Sequence, residues 1–101
     1  MRGELQFVHL LQSHGLDARR GQQYAGGNDS PDVICDSLPT VHWEVKVREA
    51  HRPWEWVTQA VTDAGQGQLP IVAMKKNRAP WLAVMRMDDL IELLRRARDV
   101  L

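Results

Sequence analysis

The chain has 101 residues, with 13 basic and 13 acidic side chains and a formal net charge of zero. That length suits one domain with a modest core, so we expect a single domain over residues 1–101. A net charge of zero excludes a broadly basic nucleic-acid-binding surface, so any phosphate-binding patch must be local. No apolar run approaches the roughly 20 residues that cross a bilayer. Cys35 is the single cysteine, which excludes an internal disulfide and favours a reducing, cytoplasmic compartment.

The first predicted element is a helix over residues 2–14. Leu5, Val8 and Leu11 recur at helical spacing and are expected to face the core. Glu4 lies on the same apolar stripe. A carboxylate there needs a partner or a function, unless it stays solvated in the first helical turn, where the helix dipole favours it.

Two segments that could face a phosphate backbone follow this helix. Residues 16–25 fit a first strand poorly by alternation, and Arg19 and Arg20 either contact phosphate or protect a sheet edge with charge. Residues 26–30 form a polar, glycine-containing turn. Its backbone N–H groups could hold an oxyanion, although the same composition makes any ordinary turn.

The candidate chemistry lies on a predicted strand, turn and strand. Two short apolar runs, residues 31–36 and 41–47, are separated by turn residues. Side chains alternate between the faces of a strand, so Glu44 and Lys46 project side by side, and Asp32 on the neighbouring strand could complete a pocket. Two carboxylates suit a hard cation such as Mg²⁺, and a nearby lysine can help to activate the water that attacks phosphorus. The alternative is a solvated face with one Glu–Lys pair.

The two faces of the second strand have different expected environments. Val41, Trp43 and Val45 lie on one face and are expected to be core. His42 shares the other face with Glu44, and we expect it to be a surface histidine.

A second helix is predicted over residues 54–64. Trp54 and Val57 begin an apolar stripe at helical spacing that is expected to face the core, and Gln59 lies on another face. Trp54 or Trp56 could stack on a nucleic-acid base, but burial is the favoured interpretation for both.

A hairpin is predicted next, with strands over residues 69–74 and 81–85. Lys75 and Lys76 lie in its turn, where they either contact DNA or only make the tip soluble. The last predicted helix covers residues 87–101.

That last helix is expected to begin at Asp88, a good N-cap residue. Leu90, Ile91 and Leu94 form its apolar stripe, which could pack on its own sheet or on a second subunit.

The ordered set of acidic and basic residues resembles the PD-(D/E)XK nuclease signature, and within it the archaeal-type and phage Holliday junction resolvases. The resemblance covers about residues 2–85. The residues that carry it are Glu4, Pro31-Asp32, Glu44-Val45-Lys46 and Gln59.

This resemblance implies an α/β, restriction-endonuclease-like fold with a mixed central sheet of about five strands, in the order α-β-β-β-α-β-β-α. It also implies Mg²⁺, which Mn²⁺ could replace. The implied metal ligands are Asp32, Glu44, the Val45 carbonyl and Glu4. The implied catalytic residues are Glu4, Asp32, Glu44, Lys46 and Gln59.

The implied function is a structure-selective DNA endonuclease, a Holliday junction resolvase that acts as a homodimer in recombination and repair in a bacterial or phage-infected cell. Nine residues are the expected DNA contacts: Arg2, Arg19, Arg20, Asn28, Ser30, Arg48, Arg52, Lys75 and Lys76. Two alternatives stay open. One is a nuclease of this superfamily that acts on other DNA in restriction, repair or replication. The other is a non-catalytic DNA-binding module, which the neutral net charge favours.

Overall fold

The computed structural model describes residues 2–21 and 31–101, which form a mixed sheet flanked by helices. The elements are α1 (Arg2–Ser13), β1 (Ala18–Arg20), β2 (Val33–Cys35), β3 (Val41–Val47), α2 (Pro53–Asp63), β4 (Leu69–Lys75), β5 (Leu82–Val84) and α3 (Met87–Arg96). The strand order in the sheet is β1-β2-β3-β4-β5. Strands β3 and β4 are parallel, and the other neighbours are antiparallel. The predicted α/β architecture and its element order are therefore confirmed.

Helix α1 covers one face of the sheet. Phe7, Val8 and Leu11 are buried there in a cluster with Trp43 and other core residues. The ring centroids of Phe7 and Trp43 lie 4.9 Å apart in an edge-on arrangement. The prediction that Leu5 faces this core is wrong, because Leu5 lies at the flank of the packed stripe and is 45% exposed.

Helix α2 covers the opposite face, where Trp56 and Ala60 are buried with Val72 and Met74. Trp56 was predicted to be buried, and this is confirmed. Trp54 is 84% exposed, so its predicted burial is wrong. The side of α2 that meets the sheet carries positions 56 and 60, which leaves position 54 outside the contact.

The outer side of α2 borders an open apolar groove of about 610 Å³. The groove lies between α2, β5 and the start of α3, and its apolar lining includes Trp54, Val57, Val61, Val84 and Met87. The stripe predicted for the core therefore forms the wall of this groove, although Val57 also packs partly against the α2-side cluster.

Helix α3 is shorter and less buried than the sequence predicts. It ends at Arg96, and none of its residues is buried. Its N-cap residue is Arg86, with no side-chain capping hydrogen bond, so the prediction that Asp88 caps it is wrong. Asp88 instead lies in the first turn, where a negative charge is favourable.

Within the described ranges, no helix is long and apolar enough to cross a membrane. The single domain over residues 1–101 stays a prediction.

Candidate active site

Asp32 is held by the backbone immediately before β2. Its N–H donates to the carbonyl of Trp43 at 3.0 Å, and its Oδ2 accepts from the N–H of Val45 at 2.8 Å. Both contacts are with β3, so the carboxylate is fixed beside the strand that carries Glu44. A carboxylate that accepts a backbone N–H in this way keeps one orientation.

Gly21 contacts the backbone of Asp32 from the side opposite β3. Its N–H donates to the carbonyl oxygen of Asp32 at 2.9 Å. A side-chain carbon at position 21 would collide with the carbonyl oxygen of Pro31. The chain after β1 can therefore run against Pro31 and Asp32 because position 21 has no side chain.

Glu44 is a buried carboxylate on the face of β3 that α2 covers. The residue is only 3% exposed. Its Oε1 lies 3.4 Å from Nε2 of His42. Burial raises the pKa of Glu44 from 4.5 to about 7; the hydrogen bond with His42 lowers this pKa, whereas the nearby carboxylates of Asp32 and Asp63 raise it. The carboxylates of Asp32, just before β2, and of Asp63, on α2, therefore both favour the protonated form of Glu44.

Lys46 follows Glu44 on the same face of β3 and is half-buried. It is paired in register with Met74 on the parallel strand β4. The predicted side-by-side placement of Glu44 and Lys46 thus agrees with the strand geometry.

Glu4 lies on the other side of β3, at the start of α1. It is partly buried and lines a polar cleft of about 400 Å³. Val45, Arg48, Lys75 and Asn77 are among the other residues of this cleft. Glu4 therefore approaches β3 at Val45 from the α1 side, whereas Glu44 belongs to the α2 side, and its participation in a metal site stays a prediction.

Gln59 is exposed on α2, one turn before Asp63. Its predicted catalytic role stays a prediction. Asp63 raises the pKa of Glu44 through a side-chain hydrogen bond, although no sequence signal distinguished it from the other polar residues of the helix.

Several predicted DNA contacts lie at exposed positions with acidic neighbours. Arg19 forms an ion pair with Asp36, and Arg52 lies 3.4 Å from Glu55. Such exposed pairs are weak, so both arginines could exchange a carboxylate for phosphate. Arg20 is also exposed.

The remaining predicted basic contacts lie at the far ends of β3 and β4. Arg48 and Lys76 are exposed, and Lys75 is half-buried with its Nζ 5.7 Å from the ring centroid of Trp81. The N–H of Arg48 donates to the carbonyl of Lys75 at 3.0 Å, which holds the residue after β3 against the end of β4. Asn28, Ser30 and the side chain of Arg2 lie outside the described residues.

The donor set of the site fits a hard divalent cation. No group of three or more His, Cys, Asp or Glu side chains arranged for a metal ion occurs in residues 2–21 and 31–101. Two carboxylates, those of Asp32 and Glu44, do converge closely enough to raise the pKa of Glu44. Mg²⁺ typically uses one or two carboxylates and keeps several waters, and a cation between these groups would relieve their repulsion.

The sequence prediction that His42 is a surface residue is wrong, because its exposure is 0%. The reason is that β3 is a central strand of the sheet, and α1 and α2 cover its two faces, so that side chains on both faces are buried. One signal was available: β4 reads as a continuous apolar run covered on both sides, and its neighbour should share that environment.

Known proteins are similar to this chain in sequence and in fold. The profile of a family described as phage putative PDDEXK endonuclease matches residues 2–101. The fold is similar to the structure of Archaeoglobus fulgidus Hjc, a Holliday junction resolvase from an archaeal hyperthermophile, with a TM-score of 0.62 and 28% sequence identity. That match covers 83% of this chain and 73% of the archaeal chain. Among curated proteins, none matches the sequence.

Proposed function

Since this chain belongs to the phage PDDEXK endonuclease family, we propose that it is a metal-dependent, structure-selective DNA endonuclease that resolves Holliday junctions. The observation that supports this most directly is the convergence of Asp32 and Glu44, with Lys46 two residues further along the same face. The similarity to an archaeal resolvase supports four-way junctions as the substrate. Mg²⁺ is the proposed cofactor, and Mn²⁺ should replace it.

Each residue of the proposed site has a role in hydrolysis. Asp32, Glu44 and the carbonyl of Val45 would hold the cation, with Glu4 as a further ligand. When bound, the cation would activate water and neutralise charge on the phosphate. Lys46 would orient the attacking water and stabilise the negative charge that develops on the non-bridging oxygens.

The hydrogen bond from Val45 N–H would contribute by keeping Asp32 in place before substrate binds. Preorganised groups of this kind need no rearrangement during the reaction. The new bond forms between the water oxygen and phosphorus while the bond from phosphorus to the leaving sugar oxygen breaks. The products are one phosphate-terminated strand end and one hydroxyl-terminated end.

The test is cleavage of a labelled four-way DNA junction beside linear duplex of the same sequence, with Mg²⁺ or Mn²⁺. We expect symmetric nicks in the junction only. Asp32→Asn, Glu44→Gln and Lys46→Ala should each reduce the rate by at least about 100-fold, because each change removes several kcal/mol of charge stabilisation from the transition state.

Asp99→Asn is the matched control, because it removes one negative charge from an exposed position after α3. It should cleave like the wild type. Cleavage of duplex and junction alike would keep the nuclease and reject the junction selectivity. Full activity of purified, folded Glu44→Gln protein would reject the proposed site.

We also propose that the chain acts as a homodimer. A four-way junction presents two opposed strands to be cut, and a two-fold symmetric enzyme places one site at each of them. The apolar groove between α2, β5 and α3 is the candidate contact surface.

A further inference from the structure

His42 is a fully buried imidazole whose polar contacts are incompletely satisfied. Its exposure is 0%, and its Nε2 lies 3.4 Å from Oε1 of Glu44. Its Nδ1 is buried and has no hydrogen-bond partner among the described residues. On this side of the sheet, α2 and β4 contribute an apolar cluster of Trp56, Ala60, Val72 and Met74.

Packing alone does not account for an imidazole at this position. A buried nitrogen without a partner destabilises the folded state, and most buried polar atoms in proteins avoid that situation. An apolar side chain of similar size would fill the same space without an unpaired nitrogen. The polar contact that the structure gives to His42 is directed at Glu44, so the benefit of the histidine should be found there.

We propose that His42 is a positioning residue for Glu44, with its Nε2–H donating to Oε1 and leaving Oε2 free to face the cation. This inference rests on the proposed function, because it requires Glu44 to be a metal ligand. Carboxylate ligands are commonly fixed by a hydrogen bond of this kind, and loss of the donor typically weakens metal binding by 10–100-fold.

The test compares full-length wild type with His42→Leu and His42→Gln by two measurements. The first is thermal unfolding of the metal-free protein, and the second is Mn²⁺ binding by calorimetry. His42→Leu should stay folded, because removal of the unpaired nitrogen offsets loss of the contact with Glu44. Its Mn²⁺ affinity should fall by about 10–100-fold. His42→Gln should recover much of this affinity, because its terminal amide can still donate to Glu44.

Two further variants keep the result interpretable. His42→Asn retains an amide, but its shorter side chain falls short of Glu44, so it should bind Mn²⁺ as weakly as His42→Leu. Ile71→Leu changes a buried residue in the cluster on the opposite face, and it should leave the Mn²⁺ affinity unchanged. If His42→Leu does not fold, the difference between His42→Gln and His42→Asn decides the question.

Several outcomes would overturn the inference. Wild-type affinity in His42→Leu, or equal affinity in the Gln and Asn variants, would exclude a positioning role while leaving the nuclease assignment intact. A large loss of thermal stability in His42→Leu at unchanged Mn²⁺ affinity would show a structural role instead. Absence of Mn²⁺ binding in the folded wild type would overturn the proposed function itself, and with it the role of His42.

Discussion

Glu44 is a carboxylate whose protonation should be coupled to the stability of the metal-free protein. Its pKa is about 7 in the folded state and 4.5 in the unfolded chain, first because burial disfavours the charge. The unfolded chain therefore loses this proton at a lower pH than the folded protein does. The stabilisation is complete below about pH 4.5 and is lost as the pH rises to about 7.

We therefore predict that the free energy of unfolding of the metal-free protein falls between pH 4.5 and 7 by up to roughly 3 kcal/mol, at about 1.4 kcal/mol for each pH unit. Denaturant titrations at several pH values, with a chelator present, would measure this. Glu44→Gln cannot lose a proton and should show a flatter profile over the same range, whereas Asp99→Asn should follow the wild type. Parallel profiles for the wild type and Glu44→Gln would contradict the prediction.

The sequence allowed the positions of Glu44 and Lys46 to be predicted because strand alternation is a local rule. Residues that are two positions apart on a strand lie on the same face, whatever surrounds the strand. The burial of His42 could not be predicted in that way. It depends on α2 docking over β3 from a distant part of the chain, and the prediction that Trp54 faces the sheet placed that helix in the wrong rotation.

Asp32 is held in place where the chain leaving β1 lies against the chain entering β2, because the two backbones approach closely at Gly21. The strands pair antiparallel, with Arg20 opposite Val33, and Gly21 continues the contact along Asp32. A methyl group at position 21 would strike the Pro31 carbonyl. Backbone atoms cannot rotate away as a side chain can, so the segment that carries Asp32 would have to move.

We predict that Gly21→Ala destabilises the protein by about 1–3 kcal/mol, the usual cost of an overpacked contact, and reduces junction cleavage by at least about 10-fold because Asp32 is displaced. Chemical denaturation and the junction assay measure these effects. Gly65→Ala is the control, because its new methyl group would meet only the flexible end of Gln68. If Gly21→Ala matched Gly65→Ala in both assays, the proposed role of Gly21 in holding Asp32 would be wrong.

Helices α2 and α3 differ from the sequence prediction. The surface that α2 packs against comes from a distant part of the chain, and α3 has no buried residue in the described structure. Helix α2 contains two tryptophans two residues apart, and periodicity assigned Trp54 to the core stripe, whereas Trp56 meets the sheet. The sequence pattern continued α3 to Leu101, whereas the helix ends at Arg96. Its apolar stripe was recognised correctly, but the stripe lacks a buried position in the described chain, so local pattern could not fix where it packs.

The described part of the chain exposes an apolar surface beside its core. Trp54, Met87 and Ile91 are 84%, 64% and 55% exposed, and the first two line the groove between α2, β5 and α3. Large exposed apolar patches are typical of protein interaction surfaces. Helix α3 also has acidic residues in its first turn and basic residues in its last turn. Two copies of α3 packed antiparallel across a two-fold axis would bring each acidic end to the partner's basic end.

We predict that the wild type sediments as a dimer at micromolar concentration and that Ile91→Lys weakens the dimer by at least about 30-fold, because a charge would be buried in the proposed contact between the two α3 helices. Its fold should be unaffected, since Ile91 is exposed in the single chain. Leu5→Lys is the matched control on α1, which covers the opposite face of the sheet, and it should remain dimeric. In the junction assay, Ile91→Lys should make single nicks rather than paired ones. A dimeric Ile91→Lys protein would place the subunit contact elsewhere, and a monomeric wild type that still makes paired nicks would reject the dimer.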